Sequence, residues 1–275
     1  MATIDLTSAI YNNLIIKNKH KKPEVIVIHH DIVCSVSTKT SVQNKTKFIR
    51  CFKHANEKSI TITQVAWCNL GYENMLIVTS TAGVQIFNEP EECLFSHPCS
   101  DVESNLSFAR GIAVFNSFYF CIGNNAGCIR VFSPPDLEDE INFVDRKHNH
   151  NYAISDLSAY KDFLASVDEG GIVILWQLEG EELIHKITVS SLSNCTGIRL
   201  KRDWFITVYA SGSIRLYNIN KDSSIVTFLT LEITAHARAI TAFDISDNNE
   251  YLLTVSEDSF AKIWQFYKDG NLQVN

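Results

Sequence analysis

Apolar and polar residues alternate along most of this chain with a period of two, in short bursts that end on an aromatic ring. In "GCIRVF", Ile129 and Val131 point one way while Cys128, Arg130 and Phe132 point the other; in "GSIRLY", Ile214 and Leu216 repeat the pattern. Successive side chains of a strand leave on opposite faces, so each burst predicts a short β-strand packed on both sides. Five segments share one form: "STAGVQIF" ending at Phe87, "NNAGCIRVF" at Phe132, "DEGGIVILW" at Trp176, "YASGSIRLY" at Tyr217 and "SEDSFAKIW" at Trp264. Gly83, Gly127, Gly171 and Gly212 stand just before the burst in four of them, where a glycine permits the tight turn between two strands. The fifth has Ser259 in that place.

A second apolar strand lies upstream of each burst ("MLIVTS", "FYFCIG", "FLASV", "WFITVY", "YLLTVS"), and a third lies further upstream ("ITQVAW", "RGIAVF", "ISDLSAY", "CTGIRL", "ITAFDI"). The predicted unit is therefore three strands joined by turns, then a variable fourth. No helical period of three to four interrupts it.

The terminal aromatics are separated by 45, 44, 41 and 47 residues. That spacing is the length of a four-stranded propeller blade. Radial stacking of such sheets covers both of their faces and leaves only short edges. A sandwich has no need of rings at this interval. Residues 1–55 hold a weaker copy, "NLIIKN", "EVIVIHH", "IVCSVST" and "KFIRCF", without the turn glycine. The expected fold is all-β, one β-propeller domain over residues 1–275 with six blade-like units. Propellers usually close by sharing one blade between the chain ends. Six units then read either as a closed six-bladed ring or as an incomplete seven-bladed one.

The last unit resembles the WD-repeat superfamily. His236 stands 28 residues before Trp264, Ser256 eight before it and Asp258 six before it. The resemblance implies that His236, Ser256, Asp258 and Trp264 form a buried hydrogen-bonded tetrad within one blade. His148 lies 28 residues before Trp176, but Gly170 occupies the place of Asp258, and Ala126 and Ser211 occupy it in two other units. At most one tetrad is expected to be intact. The phrases "ITQVAWC", "FARGIAV", "AHARAI" and "EDSFAKIW" are similar to one small animal branch of the superfamily, whose members run about one blade further. That branch implies a non-enzymatic adaptor that holds proteins; relatives elsewhere in the superfamily imply the alternative, a structural part of a large assembly such as a ciliary axoneme.

Composition adds limits. With 45% hydrophobic and 20% charged residues, the chain reads as an ordinary globular protein. No apolar run reaches bilayer length and the N-terminus lacks a signal-peptide pattern, so membrane insertion is not expected. Eight cysteines in a chain this long read as reduced, buried filler, which points to the cytoplasm, with a cilium as the alternative. Residues 1–60 carry ten Lys/Arg against four Asp/Glu, and the remainder fourteen against twenty-seven. The basic "KNKHKK" reads as a solvated loop, since a nucleic-acid surface would spread wider and interleave aromatics.

Candidate chemistry is sparse. Walker, nucleophile-elbow and H-E-x-x-H motifs are absent from the sequence, and "GNNAG" joins two strands instead of opening a helix. Cys93, His97 and Cys99 are the best metal-like cluster but read as a surface connection. No catalytic residue, metal or cofactor is expected. His236, which alone could suggest a catalytic base, is assigned to structure because imidazole can donate through one nitrogen and accept through the other. Arg110 and Arg238 recur near inner strands and are the candidate interface residues. One or more proteins are the expected partners.

Overall fold

The computed structural model describes residues 60–70, 73–88, 92–97, 109–115, 118–133, 142–180, 182–191, 193–221, 225–266 and 272–274, together with four strands between 14 and 50. Among the described residues every regular element is a strand. They form six antiparallel four-stranded sheets, each from four strands consecutive in the chain. The first holds β1 (Leu14–Lys19), β2 (Lys22–His29), β3 (Ile32–Ser37) and β4 (Lys47–Arg50); the second holds β5 (Ile62–Leu70), β6 (Glu73–Ser80), β7 (Gly83–Phe87) and β8 (Cys93–His97). The third holds β9 (Ala109–Phe115), β10 (Tyr119–Asn124), β11 (Cys128–Ser133) and β12 (Asn142–His148). The fourth holds β13 (Ile154–Tyr160), β14 (Phe163–Asp168), β15 (Ile172–Glu179) and β16 (Glu182–Ser190). The fifth runs through β17 (Cys195–Leu200), β18 (Trp204–Tyr209), β19 (Ser213–Asn220) and β20 (Val226–Thr234). The last comprises β21 (Ile240–Ile245), β22 (Tyr251–Ser256), β23 (Ala261–Phe266) and β24 (Leu272–Val274).

The alternation now has a packing meaning. In the fourth sheet, Ala165, Val167, Val173 and Leu175 point forward and meet Ile198, Phe205 and Tyr217 of the fifth. In the fifth, Ile206, Val208, Ile214 and Leu216 point forward and meet Ile240, Phe243, Leu252 and Trp264 of the last. Each core is thus a seam between two sheets, and both faces of a middle strand are consumed. All five terminal aromatics, Phe87, Phe132, Trp176, Tyr217 and Trp264, are buried in these seams. Burying a ring of this size is worth about 2–3 kcal/mol, so the 41-to-47-residue rhythm is also the rhythm of the largest single contributions.

Two expectations are corrected. The propeller arrangement is found for five blades, the second sheet through the last, and not for six. The first sheet lacks the signature turn, and of its side chains only Ile28 and Val33, which pack against the second sheet, lie among the described residues. Ring closure by a shared blade is also not seen among the described residues, where no sheet combines strands from the two ends.

The predicted turns are present. Gly83, Gly127, Gly171 and Gly212 have φ of 118°, 77°, 86° and 81°, and Ser259 adopts 69° in the fifth copy. Gly212 shows why glycine is needed: a Cβ there would sit 2.1 Å from the carbonyl oxygen of His236. The turn glycine therefore lets the loop between two blades cross close over the turn.

Candidate interaction face and the networks beneath it

Two of these inter-blade loops are held by buried histidine relays. In the last sheet, Trp264 Nε1–H donates to Thr254 Oγ1 at 2.9 Å, and Thr254 Oγ1 lies 2.8 Å from His236 Nε2. His236 Nδ1 lies 2.9 Å from Asp258 Oδ2. The pattern assigns the histidine tautomer: Nδ1–H donates to the carboxylate and Nε2 accepts the threonine hydroxyl, so the four groups form one directed relay. Asp258 also accepts the backbone amides of Ala237 and Phe260, both at 3.0 Å. Burial pushes its carboxyl upward, but these two amides and His236 outweigh it and hold the pKa at about 2.

The tetrad is therefore His236, Thr254, Asp258 and Trp264, and the expectation for Ser256 is corrected. Ser256 Oγ donates to the carbonyl of Arg238 and accepts the amide of Asp258, both at 3.1 Å. It caps the turn. Ser80 and Asn124 do the same job at the equivalent ends of β6 and β10, accepting the amides of Ala82 and Ala126.

A second complete relay lies in the fourth sheet, which corrects the expectation of at most one, and it runs through His150 and not His148. Trp176 Nε1–H donates to Ser166 Oγ at 2.8 Å, Ser166 Oγ lies 2.7 Å from His150 Nε2, and His150 Nδ1 lies 2.9 Å from Asp168 Oδ2. Here the carboxylate has moved two residues back, from the turn to the strand end. The tyrosine ring of Tyr152 takes up the vacated space, within 2.2 Å of where a Cβ on Gly170 would lie. The signal was in the sequence: "HNYAI" (150–154) aligns with "HARAI" (236–240), which selects His150 over His148.

That alignment also pairs Tyr152 with Arg238. Both project from inter-blade loops two residues past a buried histidine, and both are largely exposed, at 59% for Tyr152 and 66% for the Arg238 side chain. Each loop backbone passes close over its turn glycine: a Cβ on Gly127 would lie 2.9 Å from the Tyr152 carbonyl oxygen, and one on Gly212 2.8 Å from that of Arg238. Arg238 pairs with Glu257 at 3.5 Å. Tyr152 is a candidate contact that the sequence reading missed. Arg110 is placed differently: it is half-buried on β9, opposite Gly123.

No group of three or more His, Cys, Asp or Glu residues among those described could hold a metal ion. Cys99 of the Cys93–His97–Cys99 cluster lies outside the described residues. The five described cysteines are free thiols, and burial raises Cys68 to about 12.

A family model for WDR54 matches residues 17–273, nearly the whole chain. The chain belongs to the WDR54 family. WD repeat-containing protein 54 of Mus musculus is 28% identical over 230 residues, covering 78% of this chain and 66% of that protein. The Homo sapiens protein of the same name is 29% identical over 222 residues, covering 76% and 64%. This chain thus spans just under two thirds of the length of the WDR54 relatives it matches. Among solved structures, a Bacteroides uniformis protein described as a 6-phosphogluconolactonase candidate superposes with a TM-score of 0.74 at 12% identity, covering 98% of this chain and 85% of that one. The computationally designed Ika8 protein superposes with a TM-score of 0.61 at 14% identity, covering 93% and 81%. These two likenesses show the fold alone.

Proposed function

We propose that this WDR54-family chain is a non-enzymatic scaffold that holds partner proteins on the propeller face carrying Tyr152 and Arg238. The observation that carries the reading is the use of the polar chemistry. Both histidines are buried and paired with carboxylates in loop-holding relays, and the side chains those loops present outward are a tyrosine and an arginine. Exposed Tyr and Arg are among the residue types that dominate binding energy at protein interfaces. The lactonase-like neighbour shares too little sequence for its chemistry to transfer. We propose a cytoplasmic location, with a cilium as the alternative; the free thiols of the five described cysteines support it.

The test is a pull-down from native cells with the wild-type chain and with Tyr152→Ala, Arg110→Glu and Arg238→Glu. Loss of one or more partners with Tyr152→Ala or Arg238→Glu is expected. A partner set unchanged by all three substitutions would overturn the assignment of this face.

A further inference from the structure

The face opposite Tyr152 and Arg238 carries a local reversal of the chain's charge. In each antiparallel sheet the first and third turns lie at the end away from the inter-blade loops. Residues beyond 60 hold fourteen Lys/Arg against twenty-seven Asp/Glu. Four of the fourteen stand at adjoining turns of this face: Lys161 between β13 and β14, Lys201 and Arg202 between β17 and β18, and Lys221 just past β19. The same turns on either side are acidic. Between β21 and β22, Asp247 and Glu250 are exposed, and Glu179 and Glu182 are exposed where β15 meets β16. The basic charge is thus an island at the seam between the fourth and fifth sheets.

Its members are held in place. Lys221 leaves the fifth sheet and crosses the seam: its ammonium donates to the Arg202 carbonyl at 2.6 Å and lies 4.2 Å from the centre of the Phe163 ring of the fourth sheet. Both turns are tied to third strands, since the Asp162 carbonyl accepts the Leu178 amide at 2.7 Å and the Asp203 carbonyl accepts that of Ile219 at 2.8 Å. Lys161 keeps a left-handed backbone at φ 53°, a conformation ordinarily left to Gly, Asn or Asp. Among the described residues here, the four cations meet two carboxylates, Asp162 and Asp203. Partial desolvation lowers the pKa of Lys221; Asp203 opposes this, and the charges of Arg202 and Lys161 lower it further. An ammonium fixed beside two like charges is stabilised by any anion that joins them.

The spacing of the cations selects the ligand. They come from separate elements, so they match carboxylates spaced along a chain and not one concentrated phosphate. Phosphate recognition favours a free bidentate guanidinium, and Arg202 already faces Asp203 at 3.6 Å. A nucleic acid or a membrane presents negative charge over a wider area than this island, and the acidic turns beside it oppose both. We propose that Lys161, Arg202 and Lys221 bind a short run of aspartate and glutamate residues in a partner protein. This adds a second surface to the scaffold reading, and rests on that reading for the ligand's being protein.

Fluorescence anisotropy tests it, with the whole chain and a fluorescein-labelled peptide of alternating glutamate and glycine. Saturable binding is expected, and added salt should weaken it. Lys161→Glu combined with Lys221→Met, which keeps the stem over Phe163, should raise the Kd at least about tenfold. Each single change should give a smaller loss in the same direction, so a double variant that fails to fold leaves the singles to decide. Lys186→Glu, on the outer strand β16, should change the Kd far less. The proposal is overturned by absence of saturable binding, by a Kd that ignores both substitutions, or by an equal loss with Lys186→Glu. Tighter binding of a phosphoserine peptide, a single-stranded RNA or phosphatidylserine vesicles than of the glutamate peptide would also overturn it. The titration needs no cellular partner: its failure leaves a pull-down that recovers partners standing, and an empty pull-down beside intact peptide binding removes the scaffold reading alone.

Discussion

Thr254→Val is the sharpest probe of the last blade. It keeps the shape of the side chain and deletes one hydroxyl that is fully buried. That hydroxyl accepts from Trp264 at 2.9 Å and donates to His236 at 2.8 Å. Valine leaves both an indole N–H and an imidazole nitrogen buried without a partner, at about 1–3 kcal/mol each. The expected destabilisation is about 2–5 kcal/mol, or a drop of roughly 5–15 °C in a domain of this size. Ser256→Ala removes only a turn cap and should cost about 1 kcal/mol. Thermal unfolding followed by circular dichroism measures both. Pairing Thr254→Val with Trp264→Phe should show a coupling of at least about 1 kcal/mol, since the phenyl ring no longer needs the hydroxyl. If Ser256→Ala proved the costlier change, or Thr254→Val fell within about 0.5 kcal/mol of wild type, the relay as described would be refuted.

The other expected outcomes concern the same loops and turns. His150→Ala should destabilise by about 2–4 kcal/mol in urea titration, and a change below about 0.5 kcal/mol would remove the second relay. Ser259→Gly should stabilise by about 0.5–1 kcal/mol, because a side chain at φ 69° carries a left-handed penalty that glycine lacks. Gly212→Ala should do the opposite by at least about 1–2 kcal/mol, and equal midpoints for the two would contradict the turn geometry. The Asp258 carboxyl sits at about 2 in the fold against about 3.9 in an unfolded chain. Its contribution is therefore full above about pH 5 and lost as pH falls from about 4 through 2. Asp258→Asn should flatten the wild-type midpoint in that window, and parallel pH curves would refute the assignment.

Much of the fold was legible because packing on two faces writes itself as alternation, and because each blade has one large ring to bury. The tetrad was legible in type but not in register. A residue eight before Trp264 and one ten before it share a strand face, so periodicity cannot choose between Ser256 and Thr254. Comparison across blades can: ten residues before Trp176, Tyr217 and Trp264 stand Ser166, Thr207 and Thr254, whereas Ile122 stands ten before Phe132. A hydroxyl accompanies the rings that carry a polar hydrogen, and the phenylalanine, which has none, faces an aliphatic. Tyr152 was missed because His148, at the expected spacing, drew the alignment two residues out of step. The open face of β22 and β23 was not legible at all. "YLLTVS" alternates as well as "WFITVY" does, and only three-dimensional placement shows that Leu253 and Val255 are exposed where Ile206 and Val208 are buried.

The central claim is that this WDR54-family propeller works by holding other proteins, and affinity purification from native cells with quantitative mass spectrometry tests it most directly. The expected result is at least one protein recovered in near-equimolar amount, reduced by Arg238→Glu or Tyr152→Ala while the thermal midpoint of the chain is unchanged. Recovery of the chain alone at physiological salt would contradict the account.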